Sequence, residues 1–377
     1  MKSQIHLLQI QLHFSDYKFA LLCFASAFVV TLLTIPPIIS LIQRYGLYDM
    51  PNARKEHSNP VPTMGGIAIV AGMMLSLFLW FPFSNEVGQI AFFFSIAVLF
   101  GVGIMDDLRD LSAKYKFIIQ IGLAFIIALS GIRIQSFDGL FGINELPVFS
   151  QYTFTILAIV GITNAFNLVD GIDGLAGGLG FMSLVTLGMF LTISGDNNTA
   201  LIAFALAGGI MAFLYFNFNP ARIFMGDTGS LVLGFAISVL CIRLLQVNVY
   251  AEVPLLEHTP VFVLGIVLIP VFDTIRVFAI RIWRGKSPFE ADRTHIHHLL
   301  TNAGFSHAFA VRVICFIHAF VLIEVYLLRS MRQELTLSIL IVFMILVSIA
   351  LKNSVVLLEK WNKLFKPTLY SKNSQSS

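Results

Sequence analysis

The chain has 377 residues, of which 57% are hydrophobic and 12% charged. Ordinary soluble domains carry roughly 25% charged residues, so a soluble globular protein is excluded. The net charge of +3 is too small to argue for a nucleic-acid partner.

Apolar runs of about 20 residues are long enough to cross a bilayer. By that measure spans lie near 18–42, 64–83, 89–105, 115–131, 152–168, 175–194, 199–217, 229–248, 260–282, 309–328 and 334–351. The fold class is therefore an all-α polytopic membrane protein with about eleven transmembrane helices. The first run is too long for the apolar part of a secretory signal, so a retained first span is expected. Residues 1–17 are expected to form an N-terminal tail, 18–351 a single transmembrane domain and 352–377 a C-terminal tail. The third and fifth spans are short and run into polar motifs. The ninth holds Pro270, Asp273 and Arg276, which predicts a bend near its inner end. The outer segment from Ile132 to Leu146 alternates apolar and polar residues around Asp138-Gly139, the pattern of a small hairpin. Cys23, Cys241 and Cys315 lie far apart in apolar runs and form no ligand or disulfide pattern.

With eleven spans, loops alternate between two faces. Eighteen of the 24 Lys and Arg residues fall on the face that follows odd-numbered spans, counting the C-terminal tail. Positive residues mark the cytoplasm, so the N-terminus is expected outside and the C-terminus inside. The polar islands then share the cytoplasmic face.

Asp106-Asp107 ends the third span. Adjacent helical residues point about 100° apart, so the two carboxylates face different partners. One could meet a substrate and the other a basic group or metal. The bland alternative is a helix-end cap paired with Arg109 or Lys114. Asn164, Asn167, Asp170 and Asp173 recur every third residue, a spacing that follows one helical face. Four oxygen-bearing side chains in register could bind a hard cation or a nucleoside. A helix cap followed by small-residue packing would explain the nearby glycines but not the four polar groups.

The segment from Asn217 to Ser230 contains Asn217, Arg222, Phe224, Asp227 and a Thr-Gly-Ser run able to cap the eighth span. A helix N-terminus favours phosphate, although a plain capped turn reads equally well. His295, His297 and His298 follow Arg293. They could bind zinc, donate to phosphate oxygens together with Arg293, or lie in a solvated loop. The segment with Lys55, Pro62, Thr63, Gly65 and Gly66 marks no site by itself.

Taken together, PTMGG, the Asp106-Asp107 pair, NAFNLVDGIDGL, FMGDTGS and the His-Ile-His-His loop resemble the polyprenyl-phosphate N-acetylhexosamine-1-phosphate transferases, in that family's order. The loop SPFEADRTHIHHLL is more similar to the members that transfer GlcNAc-phosphate to undecaprenyl phosphate. Ile296 interrupts the histidine run carried by the phospho-MurNAc-pentapeptide transferases.

The resemblance implies a bacterial inner-membrane enzyme acting on a UDP-N-acetylhexosamine and undecaprenyl phosphate, with Mg²⁺, or Mn²⁺ in its place, as cofactor. It implies Asp227 and Asn167 at the metal and Asp106 at the lipid phosphate with Asp107 beside it. Asp170 and Asp173 would lie near nucleoside and metal. Phe224 would stack on uracil. Lys55, Asn164, Asn217 and Arg293 would contact substrate, and the three histidines would act in the catalytic loop. Another UDP-sugar stays open, as does a homodimer. A transporter is the non-enzyme alternative, although its sites would sit nearer the midplane.

Overall fold

The computed structural model describes residues 14–45, 48–49, 61–249, 256–287, 295–302 and 304–365. The elements are α1 Phe14–Tyr45, β1 Tyr48–Asp49, β2 Val61–Pro62, α2 Gly65–Trp80, α3 Val87–Arg109, α4 Ala113–Leu129, α5 Val148–Val169, α6 Leu175–Ile193, α7 Asn197–Asn217, α8 Gly226–Val249, α9 Thr259–Ile266, α10 Leu268–Trp283, α11 Ile296–Asn302, α12 His307–Leu327 and α13 Gln333–Phe365. The two strands pair antiparallel over two residues each. The architecture is all-α, as helical backbone satisfies its own polar groups in hydrocarbon.

Each of the eleven predicted spans coincides with a helix or a bent helix pair, but the count of eleven full crossings is not reached. Among the described residues eight helices are long and apolar enough to cross a membrane, or nine with the bent pair. The shortfall is not at the third and fifth spans. α3 and α5 run through their polar motifs and reach 23 and 22 residues. Instead α2 and α4 are short, at 16 and 17 residues. At 1.5 Å per residue they measure about 24 and 26 Å, less than the ~30 Å hydrocarbon thickness.

The ninth span is broken by 77° between α9 and α10. The break falls at Val267, in the N-terminal half of the span rather than near the end that leads to the histidine loop. Pro270 then sits in the first turn of α10, where a missing N–H costs nothing. The predicted outer hairpin is reduced to one antiparallel bridge, Ser136 to Glu145, closed by a 3₁₀ turn at Leu140–Gly142.

α8 is the central helix: 83% of its most apolar window is buried, against 17% for α13. It packs against α2, α3, α5, α6, α7 and α9. Peripheral helices turn large apolar side chains outward, such as Leu21 and Leu33 on α1 and Leu346 on α13, as a lipid-facing surface requires. The first turn of the central helix is thus surrounded by the ends of α2, α3, α5 and α7. That junction holds the polar motifs.

Candidate active site

Asp106 and Asp107 occupy the last turn of α3 and diverge as adjacent helical residues must. Asp106 is buried, and its Oδ1 accepts from the Leu111 amide at 2.7 Å. Its Oδ2 accepts from Lys116 Nζ at 2.9 Å. Lys116, one turn into α4, donates also to Asp227 Oδ2 at 2.7 Å. One ammonium therefore bridges carboxylates 121 residues apart in sequence. Neither Arg109 nor Lys114 takes this place.

Asp107 turns to the N-terminus of α8. Its Oδ1 accepts from the Asp227 amide at 2.8 Å, and its Oδ2 from the Thr228 amide at 3.2 Å and the Thr228 hydroxyl. The helix terminus that the sequence offered to a phosphate is occupied by the chain's own carboxylate. Gly226 has φ 72°, and a Cβ there would lie 2.5 Å from Asp107 Oδ2, so only glycine fits this turn. The PTMGG segment builds the opposite wall. The Gly65 and Gly66 amides donate to the Phe224 and Met225 carbonyls at 2.8 and 2.9 Å, and the Phe224 amide donates to the Pro62 carbonyl at 2.8 Å. These bonds fix the half-buried Phe224 beside Asp227.

The four-residue stripe does not stay on one helical face, because α5 ends at Val169. Asn164 donates to Gln120 Oε1 on α4 and to the Val160 carbonyl. Asn167 donates to Ser230 Oγ on α8 at 2.9 Å and lies within hydrogen-bonding reach of Asp227. Asp170 caps the helix. Burial, with the charges of Asp227, Asp107 and Asp173 nearby, pushes its carboxyl well above the usual carboxylate range. Asp173 accepts from the Asn219 side chain at 3.1 Å and the Ala221 amide at 3.0 Å. Asn217 is buried, accepting from the Gly174 amide and donating to the Ile223 carbonyl. Both ends of the Asn217 amide thus hold loops together.

The histidine loop hangs from α10. Asp273 Oδ2 lies 2.9 Å from His295 Nδ1, and both its oxygens accept from the Ile296 amide at 3.2 Å. The His295 and His297 rings are stacked, and His298 lies against His297 with ring centroids 4.2 Å apart. His297 is buried over the turn after α5, and its Nε2 lies 2.7 Å from where a Cβ on Gly171 would stand. Burial, then the neighbouring His298, hold the His297 ring down at about 3. It is neutral at physiological pH and offers one donor and one acceptor, not a cation. Its Nε2 is buried with no hydrogen-bond partner among the described residues. Lys55 and Arg293 lie outside the described residues.

Asp107, Asp170 and Asp227 form a negative cluster whose donors are all hard oxygens, the chemistry that suits Mg²⁺. Among the described residues no three His, Cys, Asp or Glu side chains converge as a self-sufficient metal cage. A cavity of about 400 Å³ lies at the opposite end of the bundle, lined by Gln89, Asp196 and Arg243, so cavity size does not locate this cluster.

Residues 89–245 match the family model for glycosyl transferase family 4. Over 348 residues the chain is 36% identical to a probable undecaprenyl-phosphate N-acetylglucosaminyl 1-phosphate transferase of Bacillus subtilis (strain 168), covering 90% of this chain and 94% of the relative. The chain belongs to glycosyl transferase family 4. Undecaprenyl-phosphate alpha-N-acetylglucosaminyl 1-phosphate transferases of Yersinia pestis and Escherichia coli (strain K12) are 34% and 32% identical. These alignments cover 70% of this chain and 72% of the first relative, and 74% and 76% for the second.

The family match runs from α3 into α8 and takes in the whole carboxylate cluster, whereas the histidine loop lies beyond it. Two residues of the candidate site, Lys116 and Asp273, carry no assigned role in the sequence analysis. Lys116 is there only one of the eighteen positive residues on one face, and Asp273 only a feature of a bent span. Each had a signal in being ionisable at the edge of, or within, an apolar run.

Proposed function

We propose that the chain transfers N-acetylglucosamine 1-phosphate from UDP-GlcNAc to undecaprenyl phosphate, giving undecaprenyl-diphospho-GlcNAc and UMP. The observation that carries this reading is the Asp106–Lys116–Asp227 bridge at the ends of apolar helices, in a chain whose relatives bear that transferase name. A polyprenyl phosphate cannot leave the membrane, so its phosphate must meet a water-soluble nucleotide sugar at the interface. The excess of Lys and Arg on the loops of this face supports placing it on the cytoplasmic side of the bacterial inner membrane.

In the transfer, an oxygen of the lipid phosphate attacks the sugar-bearing phosphorus of the donor. The bond to the bridging oxygen breaks and UMP leaves with that oxygen. Phosphoryl transfer needs positioning and electrostatic stabilisation above all. Lys116 supplies a fixed positive charge between two carboxylates, and Asp106 holds it toward the incoming phosphate. Asp107 keeps the first turn of α8 in place so that Asp227 faces the cluster. Asp227 and Asn167, with Asp170 beside them, would hold Mg²⁺, which when bound neutralises diphosphate charge and improves the leaving group. Phe224 offers a ring to the uracil. His297 offers an uncharged donor to the sugar diphosphate, with the His298 ring beside it.

The test is UMP release by the purified protein from a panel of UDP-sugars with undecaprenyl phosphate. UDP-GlcNAc should be the best donor, EDTA should abolish release, and Mg²⁺ or Mn²⁺ should restore it. Full release in chelator overturns the metal assignment. Uptake of a solute with no UMP formed would overturn the enzyme itself.

A further inference from the structure

The bent span leaves a backbone carbonyl that its own helix cannot satisfy. In a continuous helix the Ile266 carbonyl would accept from the amide of residue 270. Residue 270 is proline and has no N–H. Ser183 on α6 donates its hydroxyl to that carbonyl at 2.9 Å. The same oxygen lies 3.2 Å from Nε2 of His318 on α12. A hydroxyl has one proton, and here it is committed to the carbonyl, so toward His318 the oxygen accepts. His318 therefore carries its proton on Nε2. Its Nδ1 is left bare and has no partner among the described residues. Neither side chain has any exposure. A leucine would fill that space without an orphaned nitrogen, and ionisable residues inside membrane spans are costly and mark function.

We propose that His318 is a positioning residue for the histidine loop: acting through Ser183, it holds the bend between α9 and α10 that aims Asp273 at His295. This rests on the transferase reading only for its catalytic readout. Asp273 lies about two turns beyond the freed carbonyl, roughly 10 Å along α10. A relaxation of the bend by about ten degrees would carry it nearly 2 Å, beyond what a hydrogen bond tolerates. The 2.9 Å contact to His295 and the two bonds to the Ile296 amide would then be lost. α12 is placed to act as the brace, since Gly265 at the end of α9 packs directly on Val325.

The experiment compares full-length Ser183→Ala, His318→Leu and His318→Gln in lipid nanodiscs. Glutamine places an amide N–H near the position of Nε2, whereas leucine keeps only the bulk. Ser183→Ala and His318→Leu should raise KM for UDP-GlcNAc about fivefold, the scale of one lost buried hydrogen bond, with kcat within about twofold. His318→Gln should stay within about twofold of the parent in both constants. Amide hydrogen exchange over residues 266–276 should quicken in the first two variants and not in His318→Gln. Unchanged exchange and KM in both Ser183→Ala and His318→Leu would overturn the proposal. So would equal losses in His318→Gln and His318→Leu, which would mean that only bulk matters. If the parent protein released no UMP, the transferase reading would fail while the exchange data still decided the brace.

Discussion

At the residue scale the site is organised by one lysine among acids. Lys116 touches Asp106 and Asp227 at once, so removing its charge leaves two carboxylates facing each other without a counter-ion. Lys116→Met should lower kcat by about 10²-fold, the scale for loss of an electrostatic stabiliser, in a UMP-release assay. Asp106→Asn should nearly stop turnover while UDP-GlcNAc binding, read by calorimetry, stays within about threefold, because the proposed mechanism gives Asp106 the lipid phosphate and not the donor. An equal loss of donor affinity would merge the two halves of the site. His297 makes a separate prediction. Its folded value of about 3 lies below the ordinary histidine value, about 6.5. The unfolded chain then binds the extra proton first as pH falls, so this histidine's contribution to stability is complete above pH ~6.5 and is lost progressively toward pH ~3. The thermal midpoint should drop between pH 7 and pH 5, and drop less in His297→Gln. Parallel curves would show that this ring is not held neutral.

Among the elements, the decisive contact is between two helix starts. A Cβ on Gly66 at the beginning of α2 would stand 2.2 Å from the Gly229 amide in the first turn of α8. The obstacle is backbone, which cannot rotate aside. Gly66→Ala should therefore part α2 from α8, lower stability by about 1–3 kcal/mol and depress UMP release, because the Phe224–Asp227 turn hangs from the same segment. Normal stability and activity in this variant would show that the two helices have slack. The PTMGG run marks no site by itself in the sequence, and its role is packing; what sequence could not supply is that its partner is the turn bearing Asp227. The same limit explains Asn164 to Asp173. The every-third spacing was legible, but the helix ends after Val169, and the following turn sends Asp173 to Asn219 while Asn164 is held by Gln120.

For the whole molecule, alternation of helices across a bilayer places the carboxylate cluster and the histidine loop at one end. A cysteine at Ser287 should resist an impermeant thiol reagent in intact cells, and one at Asn197 should react; the reverse pattern would invert the orientation drawn from the Lys and Arg distribution. Composition and apolar run length alone decided the membrane class and the positions of the helices, since hydrocarbon forces backbone polar groups to pair within a segment. The motif order alone decided the family. Local sequence could not decide which helices cross in full, because a helix ends where its caps and neighbours allow. Nor could it decide which acid meets which base. Asp107 had the same sequence credentials as Asp106, yet one caps α8 and the other meets Lys116. That choice belongs to the packing of α3, α4 and α8, which fixes where two side chains about 100° apart come to rest.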